Sequence, residues 1–540
     1  MRSETMYDVL IKGGRIYDGG GKEPFEADVA IKGGKIVSVG ATCAGEAART
    51  IDASGLAVMP GAIDAHSHSD LTLPVHNRAE SSIRQGITTE VAGSCGWSMA
   101  PCKQETIDTV LKSLIDALAS EQDFKAMSWE WRTFSEYLAA LEKKGIATNL
   151  VPIVGQSLIR AHIMGRDNRP ASKGELEAMK AILRESMEDG AKGLSTGRSY
   201  EPGCFAATEE IIELAKVTAE YGGIYTTHIK DEGNEEFAAV EEAIRIGREA
   251  GLPVEVSHHK SIGAANFGKV NRTLQMMEEA RCQGVDINCD VYPYDFAQIS
   301  FLWRVLPDKL ARVGKQELLS KLPDRSFRDQ VKAELAKRTG TFGGAGFAAN
   351  YLVVSCPLRR DLEWKTFQDI AGSGDVVDAL CDLLFETKLA VKAAGRMNET
   401  DVQTVIKHPA TMIGTDAFAL DRDMGEDVAI HPRHYGTFPR VLGHYARDVG
   451  LVGLAEMVRK VTSLPAGKFA LGDRGWVKEG FWADLLVFDP ATIVDRATAE
   501  APAAHPAGIE YVLVNGTTVL EKGQYRPAFT GRVLRRRAGC

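Results

Sequence analysis

The sequence predicts an α/β protein: a (β/α)8 TIM barrel, a β-sandwich formed from the N- and C-terminal segments, and a small subdomain inserted after barrel strand seven. Three observations predict it. The middle of the chain alternates strands with helices until eight strand candidates have been laid down. Both ends carry short strands with glycine turns. The interval between the seventh and eighth candidates is far longer than one βα unit needs.

The terminal strands come first. Ile11-Lys12-Gly13-Gly14-Arg15-Ile16 recurs as Ile31-Lys32-Gly33-Gly34-Lys35-Ile36, and each glycine pair predicts a hairpin turn. Near the other end, Ala483 to Phe488 reads as a buried strand, and Asn515-Gly516 between Val512-Leu513-Val514 and Val519-Leu520 predicts another hairpin. Neither segment is long enough for a core of its own. Residues 1–59 and 475–540 are therefore expected to build one composite β-sandwich beside a barrel spanning 60–474.

Barrel strands are expected at Ala62 to His66, Thr89 to Gly93, Asn149 to Val154, Ala191 to Ser195, Ile224 to His228, Pro253 to His258, Asp286 to Asp290 and Thr411 to Asp416. Helices are expected at Glu175 to Asp189, stopped by Gly190; at Glu209 to Tyr221, started after Thr208 and stopped by Gly222; and at Ala238 to Ala250, stopped by Gly251. The stretch from Pro293 to Thr411 predicts a largely helical, lid-like insert over about 295–400 that covers the barrel mouth.

With 540 residues, 44% hydrophobic and 25% charged, the chain has the composition of a soluble globular protein. A formal charge of -9 argues against nucleic acid or an anionic membrane as partner, and Arg535-Arg536-Arg537 reads as a solvated tail. Met1 to Lys12 lacks a signal-like apolar region and no run reaches transmembrane length, so a cytoplasmic location is expected. The nine cysteines show no framework spacing, which fits free thiols. Composition leaves the oligomeric state open.

Chemistry-bearing residues fall where this fold places active sites. His66, Cys95, His228, His258 and Asp416 all sit at or just beyond the C-terminal end of a strand candidate. On a strand, His66 and His68 point to one face, so both rings can reach one metal ion. Cys95 adds a thiolate able to bind one ion or bridge two, and Asp416 is the carboxylate placed to take a proton from metal-activated water. His259 alternates to the opposite face of its strand, while His162, His431 and His434 read as loop residues near the pocket.

Several stretches together resemble the amidohydrolase superfamily, and within it the D-aminoacylases, or N-acyl-D-amino-acid deacylases. They are Pro60-Gly61-Ala62-Ile63-Asp64-Ala65-His66-Ser67-His68, Gly93-Ser94-Cys95-Gly96, Gly193-Leu194-Ser195-Thr196-Gly197, Tyr225-Thr226-Thr227-His228, Ser257-His258-His259-Lys260, Asp290-Val291-Tyr292-Pro293-Tyr294, and His431-Pro432-Arg433 with Gly436-Thr437-Phe438-Pro439-Arg440. The resemblance implies hydrolysis of an N-acyl bond by zinc-activated water. It implies a tight zinc ion on Cys95, His228 and His258 and a weaker site at His66 and His68, with one or two ions at work. It also implies that Tyr200 polarises the scissile carbonyl and that Lys260, Tyr292 and Arg433 hold the substrate α-carboxylate.

Two departures from the family pattern, Arg198 after Gly197 and Ser94 beside the cysteine, are expected to alter substrate preference; Lys192 is a conceivable carboxylated bridging lysine, but Cys95 already fills that role. The leading expectation is a zinc-dependent deacylase whose small-molecule substrate is an N-acyl-D-amino acid. The alternatives are a related hydrolase acting on a cyclic amide, ester or xenobiotic amide, and a catalytically silent scaffold.

Overall fold

The computed structural model describes residues 6–118, 120–307, 310, 314–337, 347–421 and 429–536. Eight barrel strands follow one another in chain order: Ala62–Ser67, Ile87–Ala92, Asn149–Pro152 continuing as Val154–Gly155, Gly193–Gly197, Ile224–His228, Val254–Val256, Ile287–Val291 and Thr411–Ile413. All neighbouring pairs are parallel. Within the run from first strand to eighth the ladder breaks at Ile153, whose amide still donates to Ala92 O at 2.8 Å. Between the eighth strand and the first there is one parallel bridge, from Ala417 just past the eighth strand to Ser67, and the eight parallel strands have the arrangement of a (β/α)8 barrel.

The barrel helices form where capping and apolar spacing agree. Lys173–Glu188 opens on a capping box between Ser172 and Glu175 and buries Met179, Leu183 and Met187 against the strands. Glu236–Ala250 buries Val240, Ala243, Ile244 and Gly247 and stops at Gly251, which takes φ 69°. Thr208 differs from expectation. It lies inside its helix, Thr208–Glu220, behind Ala207, because its hydroxyl is drawn to Glu242 Oε1 at 2.5 Å instead of capping the backbone.

Strands from both ends of the chain share one nine-stranded sheet. Ala57–Pro60 pairs antiparallel with Leu485–Phe488, which joins the N-terminal strands to the C-terminal ones. The turn at Gly33-Gly34 is the expected hairpin between Phe25–Lys32 and Lys35–Gly40, and Asn515-Gly516 turns Ile509–Val514 into Thr517–Glu521. These two turns touch: a Cβ on Gly516 would lie 2.6 Å from Gly34 Cα. Ile11, Val29, Ile31, Val58, Leu485 and Leu513 fill the core that the folded sheet encloses. Gly13-Gly14 forms no hairpin. The pair lies inside the strand Tyr7–Ile16 as a register shift, since Gly14 must clear the Val58 side chain.

The insert carries more strand than expected. Ser300–Phe301, Lys392–Gly395 and Tyr351–Ser355 form a three-stranded antiparallel sheet, with Lys392–Gly395 in the centre. Helices including Arg325–Leu335 and Val376–Glu386 pack on it around Phe327, Val331, Phe367, Leu380 and Leu384. Glu399–Lys407 then returns to the barrel wall.

The C-terminal tail is docked rather than solvated. Arg535 forms an ion pair with Glu142 at 2.9 Å and donates to Asp189 O, while Arg536 N donates to Gly190 O at 2.9 Å; Arg537 lies outside the described residues. Among the described residues no helix is long and apolar enough to cross a membrane.

Candidate metal centre and substrate pocket

The site grows from the C-terminal ends of seven strands. Glycines let the Cys95 loop reach it. Gly93 takes φ 98°, and a Cβ there would sit 1.8 Å from Ile153 O; Gly96 takes φ 79°, with its Cβ position 2.6 Å from Gly197 N. The Gly193-Leu194-Ser195-Thr196-Gly197 stretch receives that loop. Ser195 Oγ accepts from Gly96 N at 3.0 Å and donates to Gly93 O, and a side chain at Gly197 would strike Cys95 O at 2.2 Å.

Three of the candidate ligands have left-handed backbones: Cys95 at φ 53°, His258 at φ 37° and Asp416 at φ 50°. Such conformations cost roughly 1–3 kcal/mol each and persist where the surroundings over-determine them. For Asp416 the constraint is visible. Its amide donates to His66 O at 2.8 Å, and Thr415 beside it is held by buried Asp64 through bonds of 2.8 and 2.6 Å.

All six candidate donors converge. Cys95 Sγ lies 3.4 Å from His66 Nε2, 3.4 Å from His258 Nε2 and 3.9 Å from His228 Nδ1. The facing nitrogens of His228 and His258 are 2.9 Å apart. Asp416 Oδ1 is 3.5 Å from His66 Nε2 and 3.2 Å from His68 Nε2. His68 reaches it from just beyond the strand, which ends at Ser67.

The donor set fits zinc, which takes thiolate and imidazole ligands at about 2.0–2.3 Å. Sulfur and the two later histidines lie within 4.8 Å of one another; His66, His68, Cys95 and Asp416 form a second group of the same span.

The electrostatics agree. Burial alone would push the Cys95 thiol up, but His66 and His258, with hydrogen bonds from His228 and His258, hold it well below the usual thiol value. Burial likewise opposes charge on Asp416, yet Arg433, His258 and His68 hold its carboxyl well below the usual carboxylate range. Against the cost of burial, Asp416 and Cys95 raise His68 to about 9.

Behind the donors stands a ring of groups that sequence reasoning missed. Glu232 lies 3.0 Å from His258 Nδ1 and 2.6 Å from Lys260 Nζ. His258 Nδ1 thus faces both Glu232 and Lys260 Nζ, the latter at 2.8 Å, while its Nε2 faces the cluster. Asp290 Oδ2 is 3.4 Å from His66 Nδ1, on the ring side opposite Cys95. Burial and neighbouring Asp290 push Glu255 well above the carboxylate range, so it carries the proton of that pair. Glu232 was findable four residues after His228; Asp290 lay in a stretch already noted, without a role.

The remaining candidates line one cavity of about 950 Å³, roofed in part by Val305, Pro307, Tyr351 and Ala393 of the insert. Tyr200 stands at its mouth, 43% exposed, with its ring 4.7 Å from that of His228. Lys260 and Arg433 both approach the Tyr292 ring, at 5.3 and 4.8 Å from its centroid. Arg433 also pairs with Asp416 at 2.8 Å and donates to Gln298 at 2.5 Å.

Other residues are set apart. Lys192 precedes its strand and donates to Ala470 O at the far end of the barrel, out of bridging reach. Arg198 is buried away from the cavity, clamped to Glu242 at 3.0 Å and to the carbonyls of Gly203 and Ala206, because a guanidinium can satisfy several acceptors at once. His162 and His434 sit in helices rather than loops, and His431 turns to Phe296 O. His259 bonds Thr273 at 2.8 Å, outside the donor cluster.

Comparison with known proteins places this geometry. The amidohydrolase family model matches residues 49–312 and 370–520. The chain belongs to the amidohydrolase family. It is 36% identical over 532 residues to a D-aminoacylase of Alcaligenes xylosoxydans xylosoxydans, covering 98% of each chain. A crystal structure of D-aminoacylase superposes with a TM-score of 0.78 at 36% identity, covering 98% of this chain and 100% of that one. An N-acyl-D-glutamate deacylase from Bordetella bronchiseptica, solved with zinc and a phosphonate mimic of the tetrahedral intermediate, gives 0.76 at 31% identity with the same coverage. Within the family, this chain is a hydrolase of amide bonds that uses a bound metal.

Proposed function

We propose that this protein hydrolyses the N-acyl bond of N-acyl-D-amino acids, releasing a carboxylate and a free D-amino acid. The observation that carries the reading is the meeting of Cys95, His228 and His258 with Asp416 on one side and Lys260, Tyr292 and Arg433 on the other.

In this reading Cys95, His228 and His258 would hold a zinc ion, and His66, His68, Cys95 and Asp416 would hold a second, weaker one. When bound, the metal would supply a Lewis acid for the scissile carbonyl and make a water at the site more acidic. Asp416 is the carboxylate that accepts the proton of the attacking water and delivers it to the leaving nitrogen. Tyr200 is placed to donate to the carbonyl oxygen. Lys260, Arg433 and the Tyr292 hydroxyl fix the α-carboxylate, so that the amide lies in register beside Asp416. Substrate entry exchanges the Arg433–Asp416 pair for one between Arg433 and the substrate.

The insert over about 295–400 serves as a lid on the barrel of 60–474, and the sandwich of 1–59 and 475–540 as its support. A cytoplasmic location suits a reactive thiolate that must stay reduced.

A panel of N-acyl-D- and N-acyl-L-amino acids, assayed for amine release by the zinc-loaded protein, tests the reading. Release from D-substrates is expected. No release from any member, with zinc bound, overturns it.

A further inference from the structure

The deacylase reading puts the α-carboxylate at Lys260, Tyr292 and Arg433, which follow strands six, seven and eight. The scissile carbon lies at the Cys95, His228 and His258 cluster. That carbon has one other substituent, the acyl chain, and it must leave on the side away from the carboxylate. In a barrel of eight strands in chain order, strand two lies across from strand six. The acyl chain is thereby directed at the segment that follows strand two.

That segment presents an apolar wall to the cavity. Trp97, two residues past Cys95, lines it together with Val110 and Leu114. Trp97 and Val110 pack with Cys95 itself in one apolar cluster, against which Leu114 also packs. The wall is shaped by a local irregularity: Ile107–Leu111 winds as a π-turn between helical Gln104–Thr106 and Lys112–Leu118. π-turns re-aim a helix face and are concentrated at functional sites. Here Val110 and Leu114, four residues apart, share the face that lines the cavity. At its outer end the wall becomes polar, where Arg166 donates to Thr109 O at 2.9 Å and Ser113 joins the lining.

From this geometry we propose that Trp97, Val110 and Leu114 form an acyl-chain subsite, and that the preferred substrates carry an aliphatic acyl group longer than acetyl. An acetyl methyl would leave the wall uncovered in a cavity at the upper end of the usual size of small-molecule sites, whereas each further buried methylene favours binding by roughly fourfold. The polar rim sets the limit, so that the gain ends once the chain emerges beside Ser113 and Arg166.

The test uses the zinc-loaded full chain and N-acetyl, N-butanoyl, N-hexanoyl and N-octanoyl derivatives of one D-amino acid. The expected result is a rise in kcat/KM of at least tenfold from acetyl to hexanoyl. Leu114→Trp is expected to lower the hexanoyl-to-acetyl ratio of kcat/KM at least tenfold, and Val110→Phe to lower it in the same direction. A calorimetric titration of the zinc-loaded Asp416→Asn protein with the acetyl and hexanoyl compounds should show the same order of affinity, and needs neither wall substitution to fold. A flat series in the parent protein, with the N-acetyl compound hydrolysed, overturns the subsite and leaves the deacylase reading standing. Wall substitutions that leave the hexanoyl-to-acetyl ratio at its parent value overturn it too. Hydrolysis of no member overturns both.

Discussion

Cys95, His258 and Asp416 share an unusual backbone and one small volume, and at the scale of single residues that coincidence has measurable consequences. Cys95 supplies the only sulfur in the cluster, within 3.9 Å of three imidazoles. Cys95→Ala should drop zinc content below one ion per chain after metal-replete purification, as read by atomic absorption. Asp416→Ala removes the proton acceptor while sulfur and imidazoles remain. It should retain zinc and lose kcat by about 10²- to 10⁴-fold.

Protons compete with metal at these donors. His68 is raised to about 9, so below that pH it holds a proton that zinc must displace. Zinc uptake at the His66 and His68 site should therefore strengthen from pH 6 to pH 9, in competition with a chromophoric chelator; pH-independent uptake would contradict the assignment.

At the scale of elements, the strands were legible as apolar runs ending in polar residues, but their ends were not. Pro253 to His258 was expected and Val254–Val256 is observed; Thr411 to Asp416 was expected and Thr411–Ile413 is observed. In both cases the last residue, His258 or Asp416, has left the ladder with φ above zero, which alternation along a sequence cannot register. The connections carry similar hidden roles. Arg198 bonds Gly203 O at 2.9 Å and Ala206 O at 3.0 Å, tying the segment after Tyr200 to Glu242 on the helix Glu236–Ala250. Arg198→Leu takes the guanidinium away from Glu242, which keeps the Thr208 hydroxyl, and from the carbonyls of Gly203 and Ala206, and should cost about 3 kcal/mol in urea unfolding. It should also lower kcat through looser placement of Tyr200.

At the scale of the whole molecule, one polar knot holds the terminal sheet to the barrel. Asp484 Oδ1 accepts from Asn515 N at 2.7 Å; its other oxygen accepts from Asn149 Nδ2 at 3.2 Å and pairs with Arg474. Asn515 Nδ2 closes the ring on Asn149 Oδ1 at 2.8 Å. Asn149 belongs to barrel strand three, and Asn515 to a hairpin turn of the sheet. Asp484→Ala should therefore destabilise both parts together, by about 3–5 kcal/mol, seen as one thermal transition moved to lower temperature. Nothing in the local sequence around Asn149 or Asp484 announces this partnership, because Asn149 lies 335 positions from Asp484 and 366 from Asn515, and each alone is an ordinary polar residue.

The sequence by itself determined the eight-strand alternation, the pairing of the chain's two ends and which histidine, cysteine and aspartate side chains come together. Each of these is written in local periodicity, in turn residues or in residue types of a few particular chemistries. Only the tertiary structure decided that Glu232 and Asp290 stand behind the imidazoles, that Arg198 faces away from the cavity, and that Trp97, Val110 and Leu114 line the same cavity as Lys260, Tyr292 and Arg433. Those facts depend on which buried group meets which across the barrel, and burial and facing direction are properties of the closed fold rather than of any stretch of chain.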